Sequence, residues 1–210
     1  MIAIAILCVV VTAGLCIRGK YADNRTHVYI FKPLTTTLVI FIAILSGHSQ
    51  HSEYWYLIVA GLSLSLAGDV FLMLPSNKFL HGLVSFLGAH IVFAVAFLTV
   101  TKAVTPWLLL TALVIAMTLY ATLYSGLAKL KIPVLVYVLA IFAMAWRAWE
   151  NWLYLPSMNT LLAACSTVLF LVSDSSLAFN RFRRSFRSAE AIVLATYFAS
   201  ILLLAVSTGL

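Results

Sequence analysis

The hydrophobic positions come in long unbroken runs separated by short polar clusters. Apolar segments run over roughly 1–17, 33–47, 54–74, 79–101, 106–125, 132–150, 159–179 and 189–208. Each is close to the ~20 residues that cross a bilayer as helix. None shows the polar alternation of a barrel strand. In lipid, only helices and closed barrels satisfy the backbone. The pattern therefore predicts an all-α fold: a polytopic membrane bundle of about eight transmembrane helices. The connections are short, so successive helices are expected to be antiparallel neighbours. No linker or low-complexity stretch divides the chain, and a single domain over 1–210 is expected.

Composition agrees. Apolar residues make up 64% of the chain and charged residues 9%, with a mean hydropathy of +1.09. A soluble chain is nearer to about half apolar and about a quarter charged. Cys8, Cys16 and Cys165 all lie inside apolar segments, with no CxxC pair. There a free cysteine acts as a small hydrophobe, so no disulfide or metal follows. The first segment has no basic residue before it, and positive charges follow it instead. A secretory signal has the reverse order, so a retained first helix is expected.

Charge sets an orientation. Arg18, Lys20, Arg25 and Lys32 follow the first segment, Lys78 the third and Lys129 and Lys131 the fifth. Arg181, Arg183, Arg184 and Arg187 follow the seventh. Eleven of the thirteen basic residues thus fall on one side, leaving Lys102 and Arg147 opposite. Lys and Arg stay cytoplasmic, which predicts both termini on the non-cytoplasmic side, with a bacterial inner membrane as the expected location. Trp55, Trp107, Trp146, Trp149 and Trp152 fall at the expected outer ends of the third, fifth and sixth segments, where indoles favour the headgroup level. The net charge of +7 then faces anionic inner-leaflet lipid. Because the arginines are short clusters beside helix ends, nucleic acid is not an expected partner. No obligate protein partner is evident.

Two acids lie well inside apolar segments: Asp69 in Gly68-Asp69-Val70 and Asp174 in Ser173-Asp174-Ser175. A carboxylate there is costly unless it faces a cavity or a partner, and it marks a functional site by default. Both lie five residues before the expected segment ends. At about 1.5 Å per residue, both are roughly 7–8 Å inside the cytoplasmic boundary, and they meet if their helices face one another. Gly61, Ser65 and Asp69 share a face, and Ser166 and Thr167 lie on the face of Asp174. The alternative is a satisfied pair that glues helices together.

The candidate substrate contacts are Lys32, His90, Ser65, Ser173, Tyr124 and Tyr137. His90, mid-segment with Gly82 and Phe86 on its face, suits a proton relay, a substrate contact or a bonded core histidine. Lys32-Pro33 is expected to open the second helix, where proline suits the first turn. The lysine either meets a phosphate or obeys the inside-positive rule. Tyr120 and Tyr124 read first as interfacial anchors. Arg147 and Glu150 read as an ion pair near the outer surface. His27, His48 and His51 fall in loops and His81 at a helix start. No HxxxH lies within a span, so no metal site is expected. Lys32-Pro33 before Asp69 and Lys131-Ile132-Pro133 before Asp174 form a faint echo, suggesting a parallel four-helix repeat.

At these residues the chain resembles the YhhN-like lysoplasmalogenase family. The matching stretches are Phe31-Lys32-Pro33-Leu34-Thr35 and Leu66-Ala67-Gly68-Asp69-Val70-Phe71-Leu72-Met73-Leu74. Further on come Phe79-Leu80-His81-Gly82 through Phe86 to Ala89-His90, and Leu171-Val172-Ser173-Asp174-Ser175-Ser176-Leu177-Ala178. They run in family order across most of the chain. One departure is Phe93, where the family pattern favours a tyrosine. The resemblance implies an ether hydrolase acting on a lysophospholipid, the lysoplasmalogen. It would cleave the vinyl-ether bond to a fatty aldehyde and a glycerophospho-headgroup, with no metal or organic cofactor. Vinyl-ether hydrolysis needs a protonated acid and a negative group beside the cation it creates, and two carboxylates in one site divide those roles. Asp69 and Asp174 are the expected catalytic pair, in the cytoplasmic half of the membrane. The rival readings are a proton-coupled transporter with the acids as relay, and a non-catalytic lipid-binding scaffold.

Overall fold

The computed structural model describes residues 2–47, 52–74 and 78–209. His48 and His51 lie outside the described residues. Among those described, eight long helices form: α1 (Ile2–Tyr21), α2 (Arg25–Gly47), α3 (Glu53–Met73), α4 (Phe79–Val100), α5 (Pro106–Leu123), α6 (Lys131–Tyr154), α7 (Met158–Phe182) and α8 (Ala189–Val206). All eight are long and apolar enough to cross a membrane, and the chain is a multi-pass helical membrane protein. Two short 3-10 turns, Tyr124–Gly126 and Ala128–Leu130, join α5 to α6. Polar caps set several starts. The Ser52 hydroxyl accepts from the Trp55 N–H, and Ser157 with Thr160 forms a capping box at α7, each satisfying an amide left over at a helix end.

The second helix begins eight residues before the expected opening at Pro33. Asn24 supplies the reason: its side-chain oxygen accepts from the His27 N–H at 3.1 Å and caps α2 at Arg25. Pro33 therefore sits inside the helix, where it removes an intrahelical donor. His27 is helical rather than in a loop, and Lys32 is buried within α2, about two turns past its start. Arg18 and Lys20 form the last turn of α1.

Six helices close a ring. α2 packs on α3, α3 on α4, α4 on α6, α6 on α7, α7 on α8, and α8 back on α2. α1 lies outside against α2 and α8, and α5 lies outside against α6. Each half of the chain thus gives one peripheral helix followed by three ring helices. The ends of α1, α3, α5 and α7 and the starts of α2, α4, α6 and α8 share one end of the bundle, with most basic residues. This is called the basic end below.

Glycines permit the closest pairing, α3 on α4. A side chain at Gly68 would come within 2.7 Å of the Phe86 ring, and one at Gly82 within 2.7 Å of Leu72. Small residues let membrane helices approach where lipid offers no hydrophobic drive. At the other end, Arg147 and Glu150 are buried and bond to the 101–105 connection, not to each other. Arg147 donates to the carbonyls of Ala103 (2.7 Å) and Thr101. Glu150 accepts from the Thr105 N–H (2.6 Å), the Thr105 hydroxyl (2.9 Å) and the Trp146 indole (2.8 Å). A surface pair is the wrong description: both side chains are buried, and each satisfies backbone groups of the connection that no helix partner takes up.

Candidate functional site

Asp69 and Asp174 face one cavity inside the ring. The chamber, of about 860 Å³, is lined from all six ring helices and by Leu119 and Leu123 of α5. Its walls are mostly Leu, Val, Ile and Phe, and its polar groups are Lys32, Asp69, Tyr137, Ser173, Asp174, Ser175 and Tyr197. The equal depth expected for the two acids came from equal distances to the segment ends. In the structure α3 ends at Met73 and α7 continues to Phe182. The chamber that the two acids share is therefore set by how α3 and α7 pack in the ring, not by equal distances to their helix ends.

The two carboxylates differ in environment. Asp69 is fully buried. Its Oδ2 accepts from the Thr36 hydroxyl at 2.6 Å and the Tyr197 hydroxyl at 2.7 Å. Lys32 Nζ stands 3.1 Å from its Oδ1 as an ion pair, at an angle outside hydrogen-bonding geometry. Asp174 accepts from the Tyr137 hydroxyl on Oδ2, and His90 Nε2 lies 3.8 Å from the same oxygen. The Asp174 side chain keeps 16% of its surface exposed, against 0% for Asp69. No lysine or arginine pairs with Asp174 among the described residues. One acid is thus held by a cation and two hydroxyls, while the other is open to the chamber with one hydroxyl and an imidazole.

The partners follow the order of the ring. Each aspartate takes a hydroxyl from the helix before its own, Thr36 of α2 or Tyr137 of α6. Each also faces a side chain from the last helix of the other half, Tyr197 of α8 or His90 of α4. The two lysines of the sequence echo are not equivalent. Lys32 pairs with Asp69, whereas Lys131 lies over the Tyr124 ring, 4.1 Å from its centroid.

Of the other expected site residues, Lys32, Tyr137 and Ser173 reach the chamber wall. Ser173 donates to the Val193 carbonyl at 3.1 Å. His90 is fully buried behind Asp174, with Tyr137 and Phe170 edge-on at 5.2 and 5.3 Å. Ser65 is buried on the Asp69 face but donates to the Gly61 carbonyl at 3.1 Å and lies outside the chamber wall. Tyr124 is 47% exposed in the turn after α5, under Lys131, and also lies outside the wall. It lies just past the end of α5 at Leu123. Thr36 and Tyr197 are site residues that sequence reasoning missed. Thr36 lies four residues after Lys32, on the same helix face. Tyr197 and Ser200 are spaced i, i+3 on the buried face of α8, and that spacing is the polar signal on this face.

Above the chamber, at the basic end, a second and more polar hollow, about 1900 Å³ with its open mouth, lies between α1, α2, α3, the start of α4, α7 and α8. Lys32, Leu72, Phe79, Leu177, Val193 and Leu194 line both spaces, so they meet at a neck beside the Lys32–Asp69 pair. Among the described residues, no three His, Cys, Asp or Glu side chains converge as metal ligands would.

The model of the YhhN family matches residues 27–208. The chain is 28% identical over 194 residues to the "Uncharacterized membrane protein YhhN" of Escherichia coli O157:H7, covering 92% of each. It is 36% identical over 159 residues to the "Lysoplasmalogenase TMEM86A" of Homo sapiens, covering 71% of this chain and 64% of the relative. With the "Lysoplasmalogenase TMEM86B" of Mus musculus it shares 31% identity over 180 residues, covering 84% and 72%. No solved structure matches it.

Proposed function

The chain belongs to the YhhN family, and from that membership and the unequal pair of acids in one chamber we propose that it is a lysoplasmalogenase. Relatives bearing that name support the activity, and the chamber supports a mechanism. The single-chain lipid lies with its headgroup toward the basic end, its vinyl ether at the aspartates and its chain among the apolar walls.

The observation that carries the reading is the split between the carboxylates. Lys32 balances the charge of Asp69. Asp174 has no such cation and touches the chamber, so Asp174 is the acid that carries a proton to the substrate. It protonates the carbon of the double bond that is not attached to oxygen. The π electrons form the new C–H bond, leaving an oxocarbenium ion. The emptied Asp174 carboxylate and the Asp69 cluster lie beside that cation and stabilise it, as charge placed in advance does in a dry site. Water adds to the cationic carbon and gives its proton back to a carboxylate. The resulting hemiacetal breaks its bond to the glycerol oxygen, which takes up a proton. The products are a fatty aldehyde and the glycerophospho-headgroup, for one water consumed. Tyr137 orients Asp174, and Tyr197 and Thr36 orient Asp69.

The test is aldehyde release from lysoplasmalogen by the protein purified in mild detergent, beside Asp69→Asn and Asp174→Asn. Aldehyde from wild type and none from either monodisperse variant is expected. Full activity in either variant would sink the dyad, and no aldehyde from folded wild type would sink the hydrolase.

A further inference from the structure

We propose that the hollow at the basic end is a phosphate site for single-chain lipids, built by Arg25, Lys78 and Arg181 above the Lys32 neck. The proposal rests on the lysolipid reading above and adds residues to it.

Five cations and two acids line the hollow. Two of the cations are already committed. Lys20 pairs with Glu190 at 3.2 Å and Lys32 with Asp69 at 3.1 Å. Arg25, Lys78 and Arg181 have no carboxylate in ion-pair reach among the described residues. Against them stands only Asp23. The surplus is positive and comes from three separate elements: the start of α2, the residue before α4 and the end of α7.

The inside-positive rule explains cations at one end of a bundle, but not their convergence around a hollow. The same end supplies a comparison, because Lys129, Arg184 and Arg187 are exposed there and line neither cavity. The Arg181 guanidinium is also held in place, 4.0 Å from the centroid of the Phe79 ring, and Phe79 lines both spaces. An arginine so stacked keeps its fork of donors for a tetrahedral anion. Beneath it lies an apolar chamber that a free phosphate cannot use and an alkyl chain can. The ligand chemistry that satisfies both is a phosphate ester on a single chain.

The experiment measures binding without turnover. Wild-type protein in maltoside micelles is titrated with a saturated alkyl-ether lysophosphocholine, which has no vinyl ether to cleave. The same chain on glycerol without phosphate, and glycerophosphate without a chain, are the other two ligands. Arg25→Gln, Lys78→Gln and Arg181→Gln are each expected to weaken the phospholipid roughly tenfold, the size of a charge-assisted contact. Binding of the phosphate-free lipid should not change. Lys129→Gln, Arg184→Gln and Arg187→Gln should leave all three ligands unchanged. Added salt should weaken only the phosphate-bearing lipid.

Equal losses in both sets of variants would overturn the site, as would wild-type protein that binds the chain equally with and without phosphate. Glycerophosphate binding as tightly as the lipid would overturn the lipid as the ligand. If the expected binding pattern holds and lysoplasmalogen yields no aldehyde, the phosphate site stands and the hydrolase reading falls. If the hydrolase reading also holds, the Arg25, Lys78 and Arg181 variants raise KM and leave kcat near wild type.

Discussion

Lys32 is the residue on which site and stability meet. It is buried and within 3.1 Å of a fully buried carboxylate. Removing one partner of such a pair strands the other, at a cost of about 3–5 kcal/mol. Lys32→Met should therefore lower the thermal midpoint sharply in detergent. Lys32→Met combined with Asp69→Asn should recover much of that loss while staying inactive, and a double variant no more stable than the single one would mean the pair carries no such strain. The hydroxyls are a milder matter. Tyr197→Phe and Thr36→Val each remove one donor to Asp69 Oδ2, and a hydrogen bond between membrane helices averages about 0.6 kcal/mol. Each should fold almost normally and slow aldehyde release far less than Asp174→Asn, which removes proton transfer worth about a hundredfold or more. Tyr137→Phe should reduce kcat more than either, because it touches the proton-donating Asp174 rather than Asp69.

Among the helices, α3 against α4 is the pairing that sets the site. Asp69 is delivered by α3, and His90, behind Asp174, by α4. They approach through Gly61, Gly68 and Gly82, with the rings of Phe93 and Phe86 filling the space beside the first two. Gly68→Leu should push the helices apart, costing about 1–3 kcal/mol as overpacking does, with activity lost alongside the thermal midpoint. On the peripheral α1, a side chain at Gly14 would meet nothing within 4 Å of its first carbon, and Gly14→Leu should leave both readouts unchanged. At the far end, Glu150→Ala should loosen the α4–α5 connection, since it leaves the Thr105 N–H without its acceptor. Faster proteolysis at 101–105 is the expected sign.

For the whole molecule, charge and tryptophan placement bear on which way it faces. The basic end holds most Lys and Arg, and all five tryptophans sit toward the other end, at the starts of α3 and α5 and in the second half of α6. The inside-positive rule then predicts both termini on the non-cytoplasmic face and the phosphate site open to the cytoplasmic leaflet. A C-terminal alkaline phosphatase fusion should be active and a fluorescent-protein fusion dark, and the reverse pattern would invert the lipid's route to the chamber. The ring gives the bundle an approximate two-fold character, with one aspartate and its flanking hydroxyl in each half. The halves differ in charge, because Lys32 lies against Asp69 while Lys131 lies over Tyr124 outside the chamber.

The run of apolar residues was enough for the helices, since each backbone must satisfy itself in lipid and each run has bilayer length. The intramembrane acids were legible for a related reason: charge in hydrocarbon is so costly that Asp69 and Asp174 stand out without any alignment. Helix starts were less legible, because a single side chain such as Asn24 moved α2 by eight residues. Which side chains meet was decided by tertiary structure alone. Sequence periodicity assigns a face to each helix but not the neighbour that face meets, so Tyr197 reached Asp69 across 128 positions unannounced, and Arg147 and Glu150, adjacent on one helix, turned to a loop instead of to each other. The unequal fates of the two acids also depend on the ring. Burial and counter-charge are properties of the space between helices, and only their packing creates that space.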